Sequence, residues 1–154
     1  MTGNEKPPAA DRHPEICVGA IVVDRGELLL IKRGSPPSEG RWSLPGGRVM
    51  WGETLRDAVV RELFEETGQR GVCEGFVGWT EMIGSDHHFV IVDFRVAIRQ
   101  RSPLIPGDDA EDVAWVPLTE LSRVDLVPGL SAFLRRCGVV PEFSDPSNGA
   151  GASR

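Results

Sequence analysis

Seven residues between positions 47 and 68 combine acids, one arginine and two glycines at spacings that suit chemistry assisted by a metal ion. They are Gly47, Glu53, Arg61, Glu62, Glu65, Glu66 and Gly68. At about 100° per residue of a helix, Glu62, Glu65 and Glu66 fall on one side. Three crowded carboxylates repel one another and lose hydration unless a cation lies between them. The spacing therefore predicts a site for a positive ion.

The same side of the helix is apolar at its start, where Leu55, Ala58 and Val59 precede the acids. A stripe that faced only a core would stay apolar to its end. A glutamate pair on a helix is usually just a solvated surface. The seven positions taken together favour a functional site that binds a positive ion instead.

The acids are predicted to lie on a helix from Leu55 to Thr67. Thr54 can cap its first turn, with Asp57 three residues later in the manner of a capping box. Gly68 supplies a residue that can adopt the left-handed conformation and end the helix.

Runs of β-branched and aliphatic residues on both sides of this helix predict strands. Residues 16–23 and 27–32, separated by Asp24-Arg25-Gly26, are typical of a β-hairpin, and residues 34–41 of a loop. Further strands are predicted at 72–83, 88–98 and 112–116, and short helices at 118–122 and 128–137. This order indicates an α/β (α+β) fold, with a mixed β-sheet between helices in an α/β/α sandwich.

Composition indicates one domain, predicted here at residues 15–140, because 154 residues suffice for a sizeable core. Residues 1–14 hold three prolines and no apolar run, so we expect a disordered tail and neither a signal peptide nor a membrane anchor. Residues 141–154 are rich in Pro, Ser and Gly and are expected to be a flexible tail.

The charge and the cysteine content of the chain limit its possible binding partners and its cellular compartment. A net charge of −6 without a basic run argues against a nucleic-acid polymer, and no membrane partner is expected. Three cysteines without metal-ligand spacing indicate reduced thiols, hence a cytoplasmic location. The sequence leaves both a monomer and a homodimer open.

The segment from Gly47 to Gln69 is similar to the Nudix box, and all seven fixed positions match. Leu63 fills the first aliphatic position of the pattern. Gln69 departs from the final aliphatic position, which we expect to loosen packing at the helix end without touching the acids. The lead-in from Trp42 to Gly47 (WSLPGG) also resembles the family, and the resemblance extends over residues 15–137. It implies a Nudix-like α/β/α sandwich.

The resemblance also implies metal-dependent cleavage of a P–O–P linkage. Glu62, Glu65 and Glu66, with the Gly46 carbonyl, would bind Mg²⁺ or Mn²⁺, which prefer hard oxygen ligands. Glu62 would instead, or also, act as general base on the attacking water. Arg61 would orient Glu53 and Glu62 through forked hydrogen bonds. A further acid is expected from the loop before Trp115, where Asp109 and Glu111 are the candidates.

Substrate-binding residues are less constrained by the sequence. Trp79, Phe89 and Trp51 are candidates for base stacking, with His87 or His88 as substitutes for a tyrosine. Arg33 and Arg41, beside Lys32, are candidates for contacts to distal phosphates.

The resemblance favours a (d)NTP or a modified nucleotide as substrate, with a nucleoside monophosphate released. Relatives that act on ADP-ribose commonly carry a proline beyond the box, where this chain has Gly84-Ser85-Asp86, and relatives that act on dinucleoside polyphosphates commonly carry a tyrosine, which this chain lacks. The alternatives are an ADP-ribose or nucleotide-sugar pyrophosphatase and a non-catalytic nucleotide-sensing Nudix domain. A protein-interaction module ranks third.

Overall fold

The computed structural model of the chain describes residues 12–141. The predictions made for residues 1–11 and 142–154 therefore lie outside the described residues. Within this range eight strands and two α-helices follow one another, with one 3₁₀ helix at Leu118–Arg123 between β8 and α2. They are β1 Glu15–Ile21, β2 Val23–Asp24, β3 Glu27–Arg33, β4 Trp42–Ser43, β5 Gly46–Arg48, α1 Leu55–Thr67, β6 Gly71–Ile83, β7 His88–Ile98, β8 Ala110–Pro117 and α2 Leu130–Arg136.

The strands form two sheets. The first has the order β5-β1-β7-β6, in which β1 and β7 are parallel and the outer pairs are antiparallel. In the second sheet β3 is central, with β8 along one edge. Strands β2 and β4 share the other edge of β3, near its two ends.

The predicted hairpin between residues 16–23 and 27–32 is wrong over most of its length. Only Val23 and Asp24 pair with β3, whereas β1 pairs with β5 and β7. Both β1 and β3 contain four consecutive buried residues, so each strand is covered on both faces and needs strand neighbours of its own. The chain passes from one sheet to the other at Val22, which is fully buried.

Alternate residues of β1 and β3 face two separate cores. Val18, Ala20 and Val22 of β1 and its continuation, with Leu29 and Ile31 of β3, pack with Ala58, Val59 and Leu63 of α1. Ile21, Leu28 and Leu30 pack on the opposite side with Phe133 and Leu134 of α2. The predicted sandwich of strands between helices is confirmed.

Helix α1 begins and ends at the predicted residues because its signals are local. The Thr54 hydroxyl accepts a hydrogen bond from the Asp57 N–H at 3.1 Å, and Gly68 has φ 77°. Strands β4 and β5 were not predicted, since two or three residues are too few for an alternating pattern. Among residues 12–141, no helix is long and apolar enough to cross a membrane.

Candidate active site

The acidic end of α1 faces a cleft of about 1600 Å³. Glu62 and Glu66 line it together with Gly46, Gly47, Arg33 and Asp109, which were all predicted from the sequence to belong to the site or its lead-in. Glu65 does not share this orientation, because its side chain is 53% exposed, against 13% for Glu62. Leu63 and Thr67 are buried instead. Of the three acids predicted to share one side of α1, Glu62 and Glu66 therefore face the cleft and Glu65 does not.

Arg61 holds the acids around it in a fixed arrangement. Its Nε and Nη2 donate to the two oxygens of Glu53 at 2.7 and 2.8 Å, and its Nη1 donates to Glu62 Oε1 at 2.8 Å and to Glu65 Oε2 at 3.0 Å. A fifth hydrogen bond runs from Nη2 to the Arg48 carbonyl at 3.0 Å. The hydrogen bonds that Glu53 accepts from Arg61, and next the one from the Met50 N–H, lower the pKa of Glu53 to about 2. Glu53 is thus kept ionised as a partner of Arg61, and Arg61 fixes one oxygen of Glu62.

Glu66 is held from the other side by the backbone of β5. The Gly46 N–H donates to Glu66 Oε2 at 3.0 Å. Burial raises the pKa of Glu66 to about 7; the Gly46 hydrogen bond opposes the rise and the Glu62 charge adds to it. The pKa of Glu62 is also raised by burial, with Arg61 opposing. Both acids are therefore destabilised as anions, as expected for carboxylates without a cation.

The two glycines of the lead-in leave room for these acids. A Cβ at Gly46 would overlap the Val18 carbonyl oxygen of the neighbouring strand. A Cβ at Gly47 would lie 2.5 Å from the Glu62 Cδ. A side chain at either position would push β5 away from β1 or displace the Glu62 carboxylate.

A divalent cation fits the donor set of the cleft. Two half-buried carboxylates, Glu62 and Glu66, offer hard oxygen atoms, and within residues 12–141 the positive group near Glu66 is Arg33. Among residues 12–141, no three His, Cys, Asp or Glu side chains form a ready-made cage.

Hydrogen bonds hold the loop between β7 and β8 against the C-terminal end of α1. The Ile105 N–H donates to the Thr67 carbonyl at 3.0 Å, and the Gly107 N–H donates to the Glu66 carbonyl at 3.2 Å. Gln69 completes the contact, because its Nε2 donates to the Ser102 carbonyl at 2.8 Å and its Oε1 accepts from the Ser102 N–H at 2.9 Å. Our expectation that Gln69 loosens this end is wrong: Gln69 is fully buried and ties the loop that carries Asp109 to the helix.

Replacing Gln69 by leucine, the type of residue usual at this position of the box, should lower the free energy of unfolding by about 1–3 kcal/mol, because the Ser102 N–H and carbonyl lose their partners. Urea denaturation monitored by tryptophan fluorescence measures the change. Gln100→Leu, at an exposed position two residues before Ser102, is the matched control. Equal denaturation midpoints for both variants would contradict the assignment.

The remaining predicted residues divide between the cleft and the surface. Glu111 forms an ion pair with Lys32 at 3.8 Å, and Arg41 forms one with Asp125 at 3.8 Å; neither lines the cleft. Trp79 and Phe89 do line it, and Phe89 stacks on His87 with 5.4 Å between ring centroids. Trp51 is fully exposed and lies outside the cleft.

One residue of the cleft was missed by sequence reasoning. Asp93, in the middle of β7, lines the cleft and is only 3% exposed. Its signal in the sequence is a single acid within the apolar strand HFVIVDFRVAI. The composition of that strand alone does not reveal which face the acid occupies.

Comparisons with known proteins agree with the fold. A family model of the NUDIX domain matches residues 13–137. An ADP-ribose pyrophosphatase from Methanocaldococcus jannaschii is 34% identical over 114 residues, covering 73% of this chain and 67% of that protein. "Putative 8-oxo-dGTP diphosphatase 2" from Mycobacterium tuberculosis is 37% identical over 120 residues, covering 74% of this chain and 81% of that protein. The crystal structure of MutT protein from Methanosarcina mazei Go1 matches with a TM-score of 0.74 at 26% identity, covering 84% of this chain and 96% of that chain.

The family model and these relatives show a hydrolase of phosphoric anhydrides. The chain belongs to the Nudix family, and it is a Nudix-type pyrophosphohydrolase. Nudix hydrolases generally use divalent metal ions.

Proposed function

We propose that this protein hydrolyses a (d)NTP or a modified nucleotide at a P–O–P linkage and releases a nucleoside monophosphate. The observation that carries the proposal is the pair of half-buried acids, Glu62 and Glu66, facing one cleft with raised pKa values. Anionic oxygens gathered beside an open cleft suit a cation-bound diphosphate better than a neutral ligand.

The metal is proposed to be Mg²⁺ or Mn²⁺, held by Glu62 and Glu66 and, from the cleft rim, by Asp109, with the Gly46 carbonyl as a further ligand. When bound, such an ion clamps phosphate oxygens, neutralises developing charge and lowers the pKa of water. Glu65 and Glu111 are weaker candidates, since Glu65 is largely exposed and Glu111 pairs with Lys32. The chemistry of the donors favours hard cations but does not separate Mg²⁺ from Mn²⁺.

The protein's own groups are proposed to position and deprotonate the attacking water. Arg61 fixes Glu62 through Oε1, and Oε2 of the same carboxylate receives no hydrogen bond within residues 12–141. Glu62 Oε2 is therefore the atom proposed to accept the proton. Arg33, which lines the cleft near Glu66, is proposed to contact a distal phosphate.

The substrate ranking rests on the cleft and on the relatives. Trp79 is 59% exposed at the cleft and offers a stacking surface for a base. The 8-oxo-dGTP diphosphatase relative supports a nucleoside triphosphate. The ADP-ribose pyrophosphatase relative supports the second candidate, ADP-ribose or a nucleotide sugar. Three free thiols support a cytoplasmic location as part of the proposal.

The test is a series of kcat/KM values with Mg²⁺ over dNTPs, oxidised dGTP, ADP-ribose, a diadenosine polyphosphate and p-nitrophenyl phosphate. We expect (d)NTPs to exceed ADP-ribose and the phenyl phosphate to be left intact, because a monoester offers no second phosphate to clamp. Preference for the phenyl phosphate would refute the diphosphate mechanism. Preference for ADP-ribose would refute only the ranking.

A further inference from the structure

The cleft contains a buried acid that the proposed reaction does not use. Phe94 and Val96 of β7 pack in the core beneath α1, so the alternation of the strand directs Asp93 to the opposite face, which is the cleft. Burial alone raises the pKa of Asp93 to about 7. No hydrogen bond or ion pair reaches its carboxyl from anywhere in the described range 12–141.

Asp93 lies in a row across the first sheet whose other members are glycines. The row runs Gly46, Gly19, Asp93, Gly78 through β5, β1, β7 and β6. The carboxyl leans over Gly19, because a Cβ at that position would overlap Asp93 Oδ1. On the other side Phe133 of α2 covers Gly78, with its Cε2 3.0 Å from where a Cβ would stand. Phe133 therefore closes the side of the Asp93 carboxyl that faces β6. The carboxyl faces the space above Gly19 and Gly46, towards β5.

This glycine row links Asp93 to the acids of α1. Gly46, at the β5 end of the row, hydrogen-bonds Glu66. Two strand spacings separate Gly46 from Asp93, which is roughly 10 Å. A nucleotide whose phosphates lie at Glu62 and Glu66 extends across its sugar to its base over a comparable span. The arrangement thus brings the base of the substrate to Asp93, an inference that rests on the proposed function.

We propose that Asp93 is a specificity-determining residue that accepts two N–H groups from the base of the substrate. A buried carboxylate without a partner is costly, and two adjacent donors would satisfy both of its oxygens. Among the common bases, guanine presents two adjacent donors, N1–H and the 2-amino group. Adenine and cytosine each present one donor group beside an acceptor, and thymine presents one donor between two acceptors, so one carboxylate oxygen would meet an acceptor. A guanine-type base is therefore the favoured substrate class.

The experiment compares wild type, Asp93→Asn and the exposed control Asp108→Asn in two assays. The first is kcat/KM with Mg²⁺ for dGTP, dITP, dATP and dCTP. The second is calorimetric binding of dGMP, GMP, dIMP and dAMP in the presence of Mg²⁺, so that the acids of α1 do not repel the phosphate. We expect wild type to prefer guanine over hypoxanthine and adenine, and Asp93→Asn to reduce that preference about tenfold or more, the usual scale for a bidentate base contact. The control should keep the wild-type ranking.

Thermal unfolding of the unliganded proteins separates recognition from a structural role. Asp93→Asn removes an uncompensated buried acid, so its Tm should equal or exceed that of wild type. A clearly lower Tm with an unchanged base ranking would overturn the proposal.

The binding assay keeps this inference distinct from the proposed function. Wild type that hydrolyses no nucleotide but binds dGMP over dAMP through Asp93 would refute the hydrolysis proposal and support the base contact. Equal binding of monophosphates that carry different bases would overturn the inference about Asp93. A ranking set by GMP against dGMP would also overturn it, because that ranking depends on the sugar hydroxyl.

Discussion

Replacing Glu62 by glutamine should lower kcat by at least about a hundredfold, the usual scale for a lost acid–base group. Glutamine keeps the size of the side chain and one carbonyl oxygen for Arg61, but it cannot take up a proton from water. Steady-state kinetics on the best nucleotide substrate measures the effect, and circular dichroism checks that the fold is intact.

Glu120→Gln is the matched control, since Glu120 lies exposed in the 3₁₀ helix Leu118–Arg123. It makes the same chemical change away from the cleft and should leave kcat close to that of wild type. Equal rates for the two variants would show that Glu62 has no part in the reaction.

Chelation of divalent cations should abolish hydrolysis altogether. The half-buried Glu62 and Glu66 carry charge of the same sign as the phosphates, so without a cation they would repel the substrate. The measurement is product release in excess EDTA, followed by titration with Mg²⁺ or Mn²⁺ to restore the rate. Undiminished hydrolysis in excess chelator would contradict the metal mechanism.

Stability gives an independent measure of the same site. Cation binding to the folded state alone should raise the Tm of chelator-treated protein, in proportion to the logarithm of cation concentration above the Kd. In Glu66→Gln the rise should be smaller at equal Mg²⁺ concentration, because a ligand is lost. An identical rise in that variant would remove Glu66 from the proposed ligand set.

Helix α1 was predictable from sequence because its determinants are close together in the chain. The Thr54 cap, the left-handed Gly68 and the spacing of Ala58 and Val59 all lie within one segment. The proximity of Glu62 to Glu66 follows from the helical repeat. The position of Glu65 did not follow, since its exposure depends on which neighbouring elements cover that side of the helix.

Features that depend on contacts between residues far apart in the chain could not be predicted from the sequence. Ser102, the partner of Gln69, lies 33 residues further along the chain, in a loop whose course no local pattern predicts. The surroundings of Asp93 depend on the register of four strands, which places three glycines beside it. The exchange of sheets at Val22 likewise depends on both faces of β1 being covered.

Strand β3 contributes alternate residues to both cores, Leu29 and Ile31 beneath α1 and Leu28 and Leu30 beneath α2. The two helical layers therefore share a strand, and neither can lose its packing without weakening the other. A cavity made at Leu28, on the α2 side, lowers the stability of the domain that holds Glu62 and Glu66. Such a substitution would change how many molecules in a cell are folded, while each folded molecule keeps its turnover rate.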